Sequence, residues 1–268
     1  MNPIKIAFFD MDGTLIDLGL KRMTEPVKYT LLKLQEQGVR LCIATGRAPM
    51  TIPSIPGISF DTYVTFNGSY CFDGAGEIFS NPIPRQDVRT VIRNAHSLGR
   101  TVSVATKTEL GANGWEKDLS DYFEIANLHL EVTPDFDRLI GQDVYQMMIG
   151  SRPEEFDALM CGAAGAKIAA WWGRAVDVIP SNGGKGVAVE KVLAHYGLTR
   201  DQAIAFGDGN NDLEMLQTVG TGVAMGNGSE ELKAAAYAVC RPVTEDGIYH
   251  FCLERGLIAP YTKGDTGC

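Results

Sequence analysis

"IKIAFFDMDGTLID", residues 4–17, begins with an apolar run that stops at Asp10 and sets a second acid, Asp12, two positions further on. The run Ile4 to Phe9 reads as a buried strand. Two carboxylates at the end of such a strand need a reason, because burying charge without a partner is costly. In an open parallel sheet the ligand crevice lies outside the carboxyl ends of the strands. The reason should therefore be sought in the residues directly after each strand.

The pattern recurs along the chain. "VRLCIAT" reads as a strand that delivers Thr45, with Gly46 and Arg47 next, and "TYVTFN" as a third strand ending near Asn67 and Gly68. "AIAFGD" delivers Asp208, followed by Asn210, Asn211 and Asp212. Between the first two strands Thr24 caps a predicted helix with Pro26 in its first turn, apolar positions at Val27, Leu31, Leu32 and Leu34, and Gly38 at its stop. After "PSNGGKG" a helix over "VAVEKVLAHYG" restarts the alternation, continuing through helix "DLEMLQTV", strand "GVAM", helix "SEELKAAA" and strand "YAVC". Strands alternating with helices predict an α/β fold, a Rossmann-like three-layer core around a parallel sheet.

The alternation breaks twice. "SYCFDGAGEIFS" holds two short runs joined by Asp73-Gly74-Ala75-Gly76, which predicts a hairpin leaving the parallel sheet. Residues 84–180 then read as an inserted α+β cap domain, with helices near Asp87–Leu98 and Pro153–Cys161 and strands "TVSVAT", "YQMMIG", "KIAAWW" and "AVDVIP". The core is accordingly 1–83 joined to 181–268. Two linkers, near "SNPIPR" and "VIPSNGG", suit a hinged closure that excludes water. The tail "YTKGDTGC" reads as loosely ordered.

Bulk composition narrows the function. The chain has 268 residues, 45% hydrophobic and 21% charged, with a formal net charge of -9. That charge disfavours nucleic acid and anionic membranes as partners. No apolar run approaches the roughly 18 residues of a membrane span, and "MNPIKIAFFDMDG" lacks the marks of a secretion signal, so a cytoplasmic location is expected. Cys42, Cys71, Cys161, Cys240, Cys252 and Cys268 form no C-x-x-C pair, and His96, His129, His195 and His250 are scattered, so neither set suggests a metal or redox centre. Oligomeric state is not legible.

Each strand-end motif has an ordinary reading beside the chemical one. "DMDGT" could be a capped turn, but it fails as a calcium loop because Gly13 falls fourth and Thr14 sits where a ligand carboxylate belongs. "ATGR" could be a strand-to-helix turn capped by Thr45. "NGGKG" could be a helix-start lysine, and it is not a Walker loop because Gly186 follows Lys185. "FGDGNND" could be a polar turn; Asp212 replaces the third glycine of a dinucleotide fingerprint, and Leu213 and Val219 break a calcium loop. Together the motifs place carboxylates, a hydroxyl and an ammonium around one crevice. An aspartate can carry a phosphoryl group covalently, given an oxygen-seeking cation such as Mg²⁺ to screen the charge.

In that order and at those separations, "DMDGTLID", "ATGR", "GGKG" and "GDGNND" resemble the haloacid dehalogenase-like superfamily of phosphohydrolases, and within it the Cof-type group with a large α/β (C2B-type) cap. The resemblance implies Asp10 as nucleophile and Asp12 as general acid and base. It implies that Thr45, Gly46, Lys185 and Asn211 hold the phosphate, with Arg47 near the substrate and Asp212 orienting Lys185. Mg²⁺ would be bound by Asp10, the Asp12 main-chain carbonyl and Asp208. The implied activity is Mg²⁺-dependent hydrolysis of small phosphorylated metabolites, sugar phosphates being commonest for the group. A phosphotransferase or phosphomutase using the same aspartyl-phosphate, or a non-catalytic phospholigand-binding protein, are the alternatives. Glu109, Asn113, Trp115, Glu116 and Lys117 lie in a polar loop that reads as surface by default but could face the site, and "AWWG" reads as core.

Overall fold

In the computed structural model, which describes residues 3–262, the opening run forms strand β1 (Ile6–Phe9), every residue of which is buried. It lies within an eight-stranded sheet. The other strands are β2 (Arg40–Ala44), β3 (Thr62–Thr65), β4 (Tyr70–Asp73), β5 (Gly76–Ser80), β11 (Ala203–Gly207), β12 (Thr221–Ala224) and β13 (Ala238–Val239). The order is β13-β12-β11-β1-β2-β3-β4-β5, parallel from β13 to β3.

Successive strand residues point to opposite faces, and both faces of β1 are apolar, so both must be covered. Ala7 and Phe9 pack with Leu31 and Leu34 of helix α1 (Glu25–Glu36) and Ile248 and Phe251 of α9 (Gly247–Glu254). Ile6 and Phe8 pack on the other side, with Val189 and Val192 of α6 (Lys185–Tyr196) and Met215 of α7 (Leu213–Thr218). The α/β three-layer core is the result. Each fully buried phenylalanine contributes about 1.5–3 kcal/mol to it.

Two local expectations are corrected. The hairpin β4–β5 does not leave the sheet; both strands pair antiparallel and extend its edge. Its turn is tied by Asp73 Oδ1, which accepts from the N–H groups of Ala75 and Gly76 at 2.8 and 3.1 Å. Thr24 stands at the N-terminus of α1, but its hydroxyl donates to Asp246 Oδ1 at 2.5 Å and makes no capping bond. The link ties α1 to the chain just before α9.

A second sheet of five strands, all antiparallel, is built from the intervening chain. Its order is β7-β6-β8-β10-β9, with β6 (Val102–Ala105), β7 (Leu110–Ala112), β8 (Gln146–Gly150), β9 (Ala166–Ala169) and β10 (Ala175–Pro180). Helix α2 (Arg85–Ser97) packs beside it, and the expected Pro153–Cys161 helix is a 3₁₀ turn running into α5 (Phe156–Met160). Strand β7 and helices α3 (Lys117–Ile125) and α4 (Phe136–Ile140) were not anticipated. α8 (Glu230–Ala235) falls within the run expected, its N-cap Ser229 accepting from Leu232 N–H at 3.1 Å.

The two sheets meet through an apolar cluster in which Ala48 and Phe66 of the core join Leu119, Phe123, Tyr145 and Met148 of the cap. Phe66 stacks on Tyr145 at 5.5 Å between centroids. Among the described residues no helix is long and apolar enough to cross a membrane. Most of the tail expected to be loose, with Cys268, lies outside the described residues; Tyr261 packs against Tyr29 at 5.2 Å.

Candidate active site

Strand β1 ends where its ladder does, and the Asp10 N–H still donates to the Phe206 carbonyl at 3.0 Å, which fixes the residue at the sheet's carboxyl edge. Met11 then buries its side chain in the core, while Asp10 and Asp12 on either side of it both line a cavity of about 530 Å³. Gly13 turns the chain at φ +87°, and a Cβ there would lie 2.2 Å from Asp208 Oδ2. Only glycine allows that approach.

Asp10 is 7% exposed and Lys185 1% exposed. The Lys185 ammonium donates to Asp10 Oδ1 at 2.6 Å and to Asp212 Oδ1 at 2.5 Å. Asp212 Oδ2 accepts the N–H groups of Asp208 and Gly209 at 3.0 and 3.1 Å, so this buried carboxylate is fully engaged in shaping the β11 loop. Asp208 accepts from the Thr14 hydroxyl at 2.9 Å and from Asn227 Nδ2 at 3.3 Å. Neither Lys185 nor Asp212 lines the cavity; the ammonium is placed to hold Asp10 from the protein side.

Carboxylate oxygens of Asp10, Asp208 and Asp212 lie within 4.8 Å of one another. Three acids cluster beside one ammonium that bonds only two of them, and the consequence shows in the titration of Asp10 and Asp208. Burial pushes the Asp10 carboxyl well above its ordinary range, Asp212 and Asp208 adding to the effect and Lys185 opposing it. Burial, with Asp212, lifts Asp208 to about 7. Burial alone would lower the Lys185 ammonium, but Asp10 and Asp212 outweigh it and raise it. A second cation among these oxygens would return the acids to their ionised forms. An all-oxygen, carboxylate-rich donor set fits Mg²⁺. Of the ligand set implied by resemblance, Asp10 and Asp208 stand in this side-chain cluster beside Asp212, and the Asp12 carboxylate is turned to Arg47, which leaves Asp12 its main chain to contribute.

Thr45, Gly46 and Arg47 line the cavity at the end of β2, and the Arg47 N–H donates to Thr45 Oγ1 at 3.1 Å. Asn211 also reaches the cavity, but its amide donates to Asn67 Oδ1 at 2.9 Å. Asn67, buried and in the left-handed region at φ 51°, passes the connection on by donating to Asp177 of the cap at 2.8 Å. Asp177 also accepts from the Tyr122 hydroxyl at 2.6 Å, and its burial raises it to about 7 against those hydrogen bonds.

The expected residues thus gather at one mouth, with Lys185 and Asp212 set behind it. The polar loop of the cap does not join them: Glu109 pairs with Arg138, Glu116 with Arg100, and Trp115 is 65% exposed away from the cavity lining. "AWWG" departs from the core expected of it, since Trp171 and Trp172 line the cavity. Asn227 and Ser229, also on the lining, escaped the sequence reading. They come shortly after β12, and the strand-end rule that found Thr45 and Asp208 would have found them if applied to that strand too.

A carboxylate-lined cavity at the strand ends of an α/β core, roofed by an inserted cap, defines an enzyme with a separate module over its reacting groups. The chain belongs to the haloacid dehalogenase-like hydrolases: that family's model matches residues 7–252. It is similar to YkrA of Bacillus subtilis (strain 168), 31% identical over 264 residues that cover 95% of this chain and 98% of that one. An HMP-PP phosphatase of Yersinia pseudotuberculosis serotype O:1b is 30% identical, covering 96% and 97% of the two chains. Among solved structures, the subclass IIB sugar phosphatase BT4131 superposes with a TM-score of 0.86 at 29% identity, covering 95% of this chain and all of that one.

Proposed function

We propose that this enzyme, a phosphatase, hydrolyses small phosphorylated metabolites in a Mg²⁺-dependent reaction through an aspartyl-phosphate on Asp10. The observation that carries the reading is the buried Lys185 ammonium fastened to Asp10 Oδ1 at 2.6 Å at the edge of an acid-lined cavity. A carboxylate held by one oxygen is presented in a fixed orientation for attack through the other.

Asp10 attacks phosphorus and the ester P–O bond breaks; Asp12 gives its proton to the departing alkoxide. Water then attacks the same phosphorus, Asp12 takes a proton from it, and Asp10 is freed with inorganic phosphate. Mg²⁺, held by Asp10, Asp208 and the Asp12 carbonyl, would screen the repulsion between Asp10 and the phosphate. Thr45 and Gly46 supply a hydroxyl and an N–H to the phosphate oxygens. Arg47 releases Asp12 for proton work when the entering phosphate offers it another forked acceptor. Residues 84–180 act as the cap that selects the alcohol.

The test is phosphate release from a panel of phosphomonoesters by wild-type protein and by Asp10→Asn. Release only with wild type, lost on chelation and restored by Mg²⁺, is expected. Comparable release by Asp10→Asn would refute the mechanism.

A further inference from the structure

Three successive residues after β3, Phe66, Asn67 and Gly68, have positive φ, at 51°, 51° and 94°. For a phenylalanine that is a strained conformation, of the kind kept only where surrounding contacts over-determine it. The Phe66 and Asn67 N–H groups donate to the Arg47 and Thr45 carbonyls, both at 3.0 Å. Gly68 lies so close to the chain before Lys185 that a Cβ on it would be 2.3 Å from the Gly184 oxygen. The backbone of this turn thus fastens the Thr45 and Lys185 loops to each other.

Its side chain ties a third loop, that of Asn211, to the cap. Asn67 is 1% exposed; its Oδ1 accepts from Asn211 Nδ2 at 2.9 Å and its Nδ2 donates to Asp177 Oδ2 at 2.8 Å. Reversed, the amide would set donor against donor at Asn211 and oxygen against oxygen at Asp177. Asn211 lines the cavity, whereas Asn67 and Asp177 do not. Beyond Asp177 the bonds run through the Tyr122 hydroxyl to Trp171 Nε1, at 2.6 and 3.0 Å.

An asparagine amide has two N–H groups. One of those on Asn211 is committed to Asn67, which leaves the other for an oxyanion in the cavity. With Asp177 in place, Asn67 has one amide orientation, and so has Asn211. Without it both are free to turn, and an entering phosphate must order them itself.

We propose that Asn67 is a positioning residue through which Asp177 of the cap completes the phosphate seat, so that cap docking and phosphate binding strengthen each other. This goes beyond the reading above, in which the cap only selects the alcohol, and rests on its assignment of the phosphate to the strand-end loops. The coupling is reciprocal: phosphate holds the cap docked as much as the docked cap holds phosphate.

The experiment is calorimetry of inorganic phosphate, with Mg²⁺ present, on four proteins. Asn67→Gly removes the amide and tolerates the positive φ, Asp177→Leu removes the acceptor and keeps a side chain of similar length, and the double variant closes the cycle with wild type. Each single variant should bind phosphate about fivefold or more weakly than wild type, and the double variant no more weakly than the weaker single. Wild-type affinity in Asp177→Leu, or losses that multiply in the double variant, overturns the proposal. Should Asp177→Leu fail to fold, the emission of Trp171, read as the difference between wild type and Trp171→Phe, decides. Saturating phosphate should change it, and the change should vanish in Asn67→Gly; an equal change there overturns the proposal. A wild type that binds no phosphate removes the seat itself and this proposal with it, whereas phosphate binding that both variants keep refutes this proposal alone.

Discussion

Arg47 grips Asp12 with two donors, Nε and Nη2, each 2.7 Å from a different carboxylate oxygen, and the same Nη2 reaches the Ala126 carbonyl of the cap at 3.0 Å. One guanidinium therefore joins the residue proposed for proton transfer to the module above it. Lysine cannot reproduce a fork with a third arm. Arg47→Lys should raise KM about tenfold while lowering kcat less, because the loss falls on closure and phosphate capture. Steady-state kinetics on one good ester reads the split; an unchanged KM would count against the role.

Lys185 has no solvent to retreat to and faces two acids. Lys185→Met removes the counter-charge of Asp10 and Asp212 together, and breaking a buried pair from one side costs about 3–5 kcal/mol. Urea unfolding should show that loss, partly recovered by added Mg²⁺. A loss below about 1 kcal/mol would mean that the ammonium does not hold the cluster.

Metal removal should be visible without turnover. A ligand that binds only the folded state at 100 times its Kd adds about 2.7 kcal/mol. Mg²⁺ should therefore raise the melting temperature of chelator-treated protein by several degrees, and Asp208→Asn should abolish the rise. The same rise in Asp208→Asn would place the cation elsewhere.

Asp177 supplies a pH dependence of its own. Its carboxyl is raised to about 7 when folded, against roughly 3.9 unfolded, so between those values the folded state holds more proton. Its contribution is full below about pH 4, falls as pH rises through the window at up to about 1.4 kcal/mol per unit, and is spent above about 7. Relative to Asp177→Asn, wild type should lose stability from pH 4 to 7 in thermal melts with chelator present. A difference independent of pH would contradict the buried, protonated carboxyl.

The core was legible because its strands are long apolar runs whose first polar residue marks the crevice, as Phe9 to Asp10 does. The cap was less so. Helix α3 offers only Leu119 and Phe123 as buried residues, and a helix this short is held by packing under Phe66 and Tyr145 more than by its own propensity. The bridging role of Asn67 was not legible because its partners, Asp177 and Asn211, lie 110 and 144 positions away. Trp171 read as core because periodicity cannot distinguish a packed interior from a cavity wall.

The central claim is that Asp10 carries the phosphoryl group. The direct measurement is an acid-quenched single turnover followed by peptide mass spectrometry. The account predicts one phosphoryl group on the peptide containing Asp10, absent in Asp10→Asn and accumulating when Asp12→Asn slows its hydrolysis. Turnover with that peptide unmodified at every quench time, in wild type and Asp12→Asn alike, would contradict it.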